Sequence, residues 1–277
     1  MTSPAKGLAL HWTVGDWAVQ RAGFSEMDRE EFTERVIVLK VGVFREADCW
    51  VRLLSPSRGM FTAFAFGGCR SRRRFPACLD PLSHVLFSVA MNRKGSYYYL
   101  REGSLLDRFA NIHRDLARLG MAVNCAKFVE SAQIGAGNTQ NVYDIFFQAL
   151  KVLNEAAFVP DAFPLCFRAR LSREHGFGPN LRQCAECGRF LQPGEKGIFF
   201  FRQGVVQCSE CTSKTSGGRA LSGNSLAALD AVMLGQPADW PEYRFGGQEG
   251  KQALQVLDRF VEYHMGLMWE SGAFRRI

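Results

Sequence analysis

Four cysteines between residues 184 and 211 have the type and spacing of metal ligands. They form two Cys-x-x-Cys pairs, Cys184/Cys187 and Cys208/Cys211, separated by residues 188–207. Zn²⁺ prefers four tetrahedral ligands, and each pair presents two thiolates to one ion with little backbone strain. Four cysteine ligands leave no open position for substrate or water, so we predict a structural zinc ion and not a catalytic one.

A second segment, GGCRSRRRFPACLDP at residues 67–81, is rich in arginine. Its cations are Arg70, Arg72, Arg73 and Arg74. Such a run is often only a solvated loop. However, residues 33–106 contain twelve Lys or Arg against five Asp or Glu, which equals the whole net charge of +7. Concentrated positive charge favours a polyanionic partner, either nucleic acid or a membrane surface.

Aromatic residues lie close to these cations in the sequence. Phe75 and the three tyrosines at residues 97–99 are candidates to stack on nucleobases. Because side chains alternate along a strand, some of the tyrosines must face the interior. We expect Phe64 and Phe66 to belong to the core.

The segments that must position these side chains begin with short strands. From Thr33 to about Glu102, strand-forming runs are separated by turn signals, with no helical pattern between them. Five strands of this length predict a small N-terminal OB-fold barrel at residues 33–103; an SH3-like barrel would show a similar pattern. Residues 1–32 have no sustained period and are assigned to an N-terminal extension.

From Ser104 onwards the apolar spacing becomes helical, which makes the protein an α+β chain of several domains. Phe109, Ile112, Leu116 and Leu119 predict one helix face. Further helices are predicted at residues 139–156, 160–176, 221–234 and 249–271, with Ser222 capping the fourth of the five. An all-α domain therefore comprises residues 104–180 and 216–277, interrupted by the four-cysteine zinc ribbon at 181–215.

Catalytic patterns are absent from the sequence. It contains no Walker loop, no GxSxG, no HExxH and no acidic cluster suited to a two-metal nuclease. We therefore expect no enzymatic activity and no small-molecule substrate. No apolar run reaches the roughly 20 residues that span a bilayer, so we expect a cytoplasmic protein without a membrane partner. The five cysteines outside the cluster are then reduced.

The order of these parts resembles a known family. A basic N-terminal barrel followed by a helical domain with an inserted four-cysteine module is similar to RecO, the bacterial recombination mediators. The resemblance covers residues 33–276. It is carried by TERVIVLKVGVFREADCWVRLLSPSRGMFTAFAFGGCRSRRRF, HGFGPNLRQCAECGR, VVQCSECTSK, LSGNSLAAL and FVEYHMGLMWESGAFRR. The N-terminal stretch and Cys69 beside the arginine loop depart from the family pattern.

The resemblance implies a nucleoid-associated protein of DNA repair and recombination. Such proteins bind single- and double-stranded DNA and anneal complementary strands. With RecR they help load RecA onto single strands coated by the single-strand-binding protein SSB, whose acidic C-terminal tail they bind. Some members lack the zinc ligands, which supports a scaffolding role for the metal.

The resemblance also assigns roles to residues of this sequence. Phosphate binding falls on Arg70, Arg72, Arg73 and Arg74, supported by Arg35, Lys40, Arg58, Arg93 and Lys94. The candidates for the SSB tail are Arg168, Arg170 and Arg173, which could equally form a solvated helix face.

Two other functions remain open from the sequence. A zinc-ribbon factor of the transcription or translation machinery would share the cysteine module and the basic charge but would not anneal DNA. A metal-dependent nuclease would need a carboxylate cluster that the sequence does not show.

Overall fold

The computed structural model describes residues 30–132, 136–211 and 217–277, so most of the predicted N-terminal extension lies outside the described residues. The first five strands form a closed barrel in the order β1-β2-β3-β5-β4, in which β3 and β5 are parallel and the other pairs antiparallel. These strands are β1 (Glu31–Val43), β2 (Cys49–Ser55), β3 (Gly59–Ala65), β4 (His84–Met91) and β5 (Tyr98–Asp107). β1 thus begins two residues before the predicted start of the barrel.

Alternation of side chains explains why these segments form a barrel. Along β3, Phe61, Ala63 and Ala65 are buried, whereas Thr62 and Phe64 between them are partly exposed. Successive side chains of a strand point to opposite faces, so the small and apolar residues fill the interior. Val51 of β2 pairs with Ala63 and is fully buried beside it.

In the second part of the chain, the described residues include six α-helices. They are α1 (Ala110–Arg114), α2 (Leu116–Ala132), α3 (Thr139–Glu155), α4 (Phe163–Glu174), α5 (Gly223–Leu234) and α6 (Gly247–Met265). Ser222 caps α5 as predicted, because its hydroxyl accepts a hydrogen bond from the Ser225 amide at 3.3 Å. Among the described residues, no helix is long and apolar enough to cross a membrane.

The first predicted helix face is wrong at one position. Leu116 is 85% exposed instead of facing the core. The cause is a break at Asp115, whose backbone is extended (φ −120°, ψ 114°) between α1 and α2. The Asp115 carboxylate accepts a hydrogen bond from the Ala117 amide at 2.9 Å and starts α2 as a new helix with a new orientation.

The last helix is shorter than predicted. α6 ends at Met265 and not at residue 271, and Gly266 follows in the left-handed conformation (φ 60°), which favours glycine. The remaining residues form an antiparallel hairpin of β10 (Leu267–Glu270) and β11 (Ala273–Arg276). Phe274 of this hairpin packs edge-on against Phe128 of α2, with ring centroids 5.1 Å apart.

The cysteine module contains a four-stranded sheet in the order β6-β8-β7-β9. Its strands are β6 (Asn180–Cys184), β7 (Gly197–Phe200), β8 (Val205–Cys208) and β9 (Arg219–Leu221). β7 and β8 form an antiparallel hairpin, and Gly204 at its turn has a φ of 67°. Phe199 packs on Phe260 of α6 with centroids 6.1 Å apart, so the module shares the helical core.

The barrel is joined to the helices through α3. The Tyr143 hydroxyl lies 2.8 Å from Nε2 of His84 on β4, and both groups are buried. Thr139 at the start of α3 donates a hydrogen bond to the Pro56 carbonyl at 2.9 Å. Ile37 and Leu54 of the barrel belong to the same buried cluster as the helices. This side of the barrel is therefore covered.

Candidate nucleic-acid interface and metal centre

The four cysteines of the module converge on one point. Their sulfur atoms all lie within 4.8 Å of one another, and Sγ of Cys187 is 4.0 Å from Sγ of Cys208. A tetrahedral ion with metal–sulfur bonds of about 2.3 Å places its sulfurs about 3.8 Å apart. The observed spacing fits such an ion, and the ligand set is complete without a fifth group.

Backbone hydrogen bonds favour the ionised form of one of these cysteines. Burial opposes ionisation of Cys184, but hydrogen bonds from the amides of Cys187, Cys208 and Glu186 outweigh it and lower the pKa of Cys184 to about 6. Hydrogen bonds with the Cys208 and Cys187 thiols raise the pKa of Cys211 to about 12. A cation held between the sulfurs would compensate for the unfavourable ionisation of Cys211, as metal binding does at thiolate sites.

Charges around the module are matched within the chain. The Arg189 guanidinium contacts the Glu195 carboxylate at 2.6 Å and lowers the pKa of that carboxyl to about 2. Arg182 contacts Asp230 of α5 at 2.5 Å. These pairs fix the module to itself and to the helices and leave little net charge for a polyanion.

The arginine loop lies between β3 and β4 and is tied to the β1–β2 turn. The Gly67 amide donates to the Asp48 carboxylate at 2.7 Å, and the Cys69 amide donates to the Ala47 carbonyl at 3.0 Å. Gly67 has a φ of 65°, which lets the chain leave the barrel wall here. The loop is therefore held in place at its start and does not extend freely into solvent.

The four loop arginines divide into two pairs. Arg70 lies 3.7 Å from the Glu46 carboxylate, and the Arg74 guanidinium donates a hydrogen bond to the Phe66 carbonyl. Arg72 and Arg73 are exposed and have no hydrogen-bond or ion-pair partner among the described residues. The second pair is thus free to bind an anion.

The supporting cations lie in three different places. Arg93 and Lys94 are exposed in the β4–β5 turn, without an ion-pair partner in the described part of the chain. Arg58 is paired with Glu30 at 2.6 Å. Lys40 and Arg35 of β1 lie near the covered side of the barrel.

Electrostatic contacts place those two β1 cations. Burial raises the pKa of Glu130 on α2, and the charges of Lys40, Arg52 and Lys127 oppose that rise. Arg35 lies near the contact between the barrel and the helices. Burial lowers the pKa of His84 and the Arg35 charge adds to that shift, whereas burial raises the pKa of Tyr143 to about 12 and the Arg35 charge opposes it. The roles of Lys40, Arg35 and Arg58 in phosphate binding stay predictions.

The predicted division of aromatic residues between core and surface is wrong for three of them. Phe75 is 3% exposed and packs edge-on against Phe87 in the barrel, so it cannot stack on a base. Phe66 is 37% exposed, and Phe64 points outward because its neighbours Ala63 and Ala65 fill the interior. Side chains alternate along the strand as predicted, but Phe64 and Phe66 lie on the outer face and not on the face assigned to the core.

The tyrosine run follows the expected alternation. Tyr98 points inward and contacts the rings of Phe32 and Phe61 at 5.6 and 5.5 Å. Tyr97, 38% exposed, and Tyr99 are on the outside. The tyrosines that remain candidates for base stacking are therefore these two.

Two residues of this surface were missed in the sequence. Phe44 in the β1–β2 turn is 49% exposed, and its ring lies 5.4 Å from that of Phe64. Arg45 follows it, with its guanidinium 5.1 Å from the Phe44 ring centre. The Phe-Arg pair directly after a strand could have indicated an exposed aromatic residue, because an apolar ring at a turn has no core to enter.

Most of the cations that were predicted to bind the SSB tail already form ion pairs within the chain. Arg168 pairs with Asp258 at 3.0 Å and Arg170 pairs with Glu174, and both side chains are largely buried. Arg173 is exposed and, with Asn138 and His175, lines an open cleft of about 520 Å³. Only Arg173 is thus arranged like a residue that meets an external anion.

Comparisons with known proteins agree with this architecture. The family model "Recombination protein O N terminal" matches residues 27–109, and "Recombination protein O C terminal" matches residues 113–271. DNA repair protein RecO of Oleidesulfovibrio alaskensis is 43% identical over 247 residues, covering 89% of this chain and 100% of the relative. The RecO of Maridesulfovibrio salexigens is 40% identical with the same coverage, and that of Anaeromyxobacter dehalogenans is 29% identical over 87% of this chain and 93% of the relative. The chain therefore belongs to the RecO family of DNA repair proteins.

Proposed function

We propose that this protein binds single- and double-stranded DNA through an OB-fold barrel and anneals complementary strands during recombinational repair. The observation that carries the proposal is the set of exposed cations on two consecutive connections of the barrel, β3–β4 and β4–β5. Arg72, Arg73, Arg93 and Lys94 have no ion-pair partner among the residues that the structure describes. Unneutralised charge of this density favours a phosphate backbone.

Annealing by such a surface needs no bond to be made or broken. Two complementary strands repel each other through their phosphates. Bound arginines neutralise part of that charge, and the release of condensed counterions favours their binding. Base pairing then proceeds between strands that are held close together. A protein acting in this way needs neither a nucleotide cofactor nor a catalytic residue.

The proposed setting is that of a recombination mediator at the nucleoid, in the cytoplasm. With RecR, the protein helps load RecA onto single-stranded DNA coated by SSB. The acidic SSB tail would meet Arg173 first, because Arg168 and Arg170 are already paired within the chain. Zn²⁺ at Cys184, Cys187, Cys208 and Cys211 holds the module on the helices, a role supported by the mutual approach of the four sulfurs.

Removing the loop charge tests the DNA-binding proposal. We expect a variant to bind a labelled oligonucleotide more weakly at 100 mM KCl when all four loop arginines are replaced by Ala: Arg70, Arg72, Arg73 and Arg74. The slope of log K against log[KCl] should flatten by about 0.7 for each phosphate of a single strand that the variant no longer neutralises. Fluorescence anisotropy between 50 and 200 mM KCl measures both quantities.

The matched control removes the same charge elsewhere. Arg114, Lys151, Lys196 and Lys251 are exposed cations outside the barrel, and their replacement by Ala changes the net charge equally. This control should retain the salt slope. Equal affinity and slope for the loop variant and the wild-type protein would overturn the proposal, as would equally weakened binding by the loop variant and the control.

Annealing itself is measured on complementary strands coated with cognate SSB, with and without the SSB tail. We expect annealing that depends on the loop arginines. Failure to anneal under every condition would contradict the mediator function, and cleavage of labelled strands in Mg²⁺ would favour a nuclease.

A further inference from the structure

Five aromatic rings form a continuous patch on the outside of the barrel, and phosphate binding does not account for it. They belong to three separate segments: the β1–β2 turn, the end of β3 and the start of β5. We name this patch the aromatic platform; its members are Phe44, Phe64, Phe66, Tyr97 and Tyr99.

The rings touch one another in sequence across the surface. Phe64 lies at the centre, with its ring centroid 5.4 Å from those of both Phe44 and Tyr97. Phe66 is nearly parallel to Phe64, at 16° and 6.1 Å, and is 6.4 Å from Tyr99. Contacts between rings of three segments fix their positions, so the patch is preformed.

The platform remains open to solvent although its rings are large and apolar. Phe44, Phe66 and Tyr97 are 49%, 37% and 38% exposed. Leaving apolar area in water is unfavourable, and contiguous exposed patches mark places where something binds. The helices cover a different side of the barrel, through His84 and Thr139.

Cations border the platform on each of its segments. The Arg45 guanidinium lies 5.1 Å from the Phe44 ring, and Arg74 donates to the Phe66 carbonyl. The Asn92 side chain accepts a hydrogen bond from the Tyr97 amide at 3.2 Å, which closes the turn that carries Arg93 and Lys94 beside the platform residue Tyr97. An apolar surface edged by positive charge suits a polyanion that carries flat apolar groups.

We propose that the aromatic platform stacks against the faces of unpaired nucleobases while the bordering cations bind the same strand's phosphates. The ligand is single-stranded DNA, because a duplex buries its base faces in its own stack and offers only phosphates at this surface. The inference rests on the proposed DNA-binding function and adds to it the means by which one surface distinguishes single strands from duplex.

Stacking makes a contribution that salt does not control. Each base stacked on an aromatic ring strengthens binding by about 5- to 100-fold. Removing rings should therefore lower the affinity for single strands without altering the number of displaced counterions. Removing arginines should instead alter the salt slope for single strands and duplex alike.

The test uses a protein variant and a ligand variant together. In the full chain, Phe44→Ala/Tyr97→Ala is compared with Phe158→Ala/Tyr263→Ala, which removes one exposed Phe and one exposed Tyr from the helical part. The probes are a labelled dT20 strand, an abasic 20-mer with the same phosphates and a 20-base-pair duplex. Fluorescence anisotropy measures affinity, and thermal unfolding checks that each variant folds.

We expect the platform variant to bind dT20 about 10- to 100-fold more weakly, with an unchanged salt slope and unchanged duplex affinity. The wild-type protein should bind the abasic strand at least as weakly as the variant binds dT20, because the abasic strand offers no base to any of the five rings. The conservative Phe44→Trp and Tyr97→Phe variants should keep full affinity, and so should the helical control.

If the platform variant bound dT20 with wild-type affinity, the inference would be overturned. That result is expected if the platform instead holds an apolar segment of a partner protein. Equal wild-type affinity for dT20 and the abasic strand would also overturn the inference, and this result does not depend on how any variant folds. Either result is compatible with loop arginines that still set the salt slope, so failure of the platform and failure of the DNA-binding proposal are distinguishable.

Discussion

The barrel surface and the cysteine module use the same residue types for opposite purposes. In the module, Arg182 and Arg189 are paired with Asp230 and Glu195 at 2.5 and 2.6 Å. On the barrel, Arg72 and Arg73 have no such partner in the described ranges of the chain. Paired arginines stabilise the fold, whereas unpaired arginines remain available to a ligand.

Aromatic residues show the same contrast. Phe199 of the module is 1% exposed and packs on the equally buried Phe260 of α6. Phe44 and Tyr97 of the barrel are 49% and 38% exposed. Composition alone therefore does not distinguish a binding surface from a scaffold; the partners of each side chain within the chain do.

The largest expected effect is the loss of the metal site. Cys184→Ser/Cys208→Ser removes one ligand from each pair, and structural zinc in small peptides supplies about 10 kcal/mol or more of apparent folding free energy at pH 7. We expect zinc content to fall from one ion per chain to none, with a large drop in Tm. Binding of dT20 by the barrel should change less than twofold. Metal analysis, thermal unfolding and fluorescence anisotropy measure these effects.

Cys69→Ser is the matched control, because Cys69 is an exposed thiol outside the cluster. It should retain both the zinc and the Tm. A doubly substituted protein with unchanged Tm would show that the module does not act as a scaffold. A parallel loss of DNA affinity in a folded variant would remove the contrast between the two regions.

An intermediate effect is expected at the seam where the barrel meets the helices. Burial lowers the pKa of His84, with Asp107 opposing the shift and Arg35 adding to it; Tyr143 and the Phe147 ring, 4.7 Å away, also face the imidazole. The unfolded chain therefore takes up this proton first as the pH falls below about 6.5. The free energy of unfolding should decrease from that pH downwards, until folded His84 titrates as well.

His84→Gln removes this titration and keeps a polar side chain. We expect a flatter dependence of stability on pH between 7 and 5, measured by urea unfolding at each pH. Burial also lowers the pKa of His175, so part of the dependence will remain. His113→Gln, at an exposed position of α1, is the matched control for the loss of one histidine. An unaltered curve for His84→Gln would show that the seam does not sense pH.

Local patterns in the sequence predicted much of this molecule. The cysteine spacing located the four-cysteine cluster, because a Cys-x-x-Cys turn depends on its own few residues. The cap at Ser222 and the turn at Gly204 were also predictable, since each depends on a side chain or backbone requirement at one position. The family was recognised from the order of the parts.

The features that failed depend on distant partners. A strand pattern does not reveal which face is buried, so Phe64 and Phe66 were wrongly assigned to the core, whereas Phe75 lies in the loop between β3 and β4, where no periodicity indicates its burial. Asp115 interrupts the helix pattern by capping α2, and an aspartate within an apolar period gives no clear sign of this. Pairing of Arg168 with Asp258 joins residues far apart in the sequence, so it could not be seen before the fold was known.

The smallest expected effect compares one arginine from each region. Arg182→Ala breaks an ion pair with Asp230 in which the arginine is largely exposed, and exposed pairs contribute about 0.2–1 kcal/mol. We expect the free energy of unfolding to fall by that amount and the DNA affinity to stay unchanged. Arg73→Ala has no pair to break among the described residues, so stability should be retained while the salt slope on dT20 flattens by about 0.7. Urea unfolding measures the stability of each variant, and anisotropy measures its DNA binding. One variant should lose stability alone and the other DNA binding alone. If Arg182→Ala weakened DNA binding as much as Arg73→Ala, an internal partner would not distinguish a structural arginine from a binding one, and both regions would have to be regarded as parts of a single DNA-binding surface.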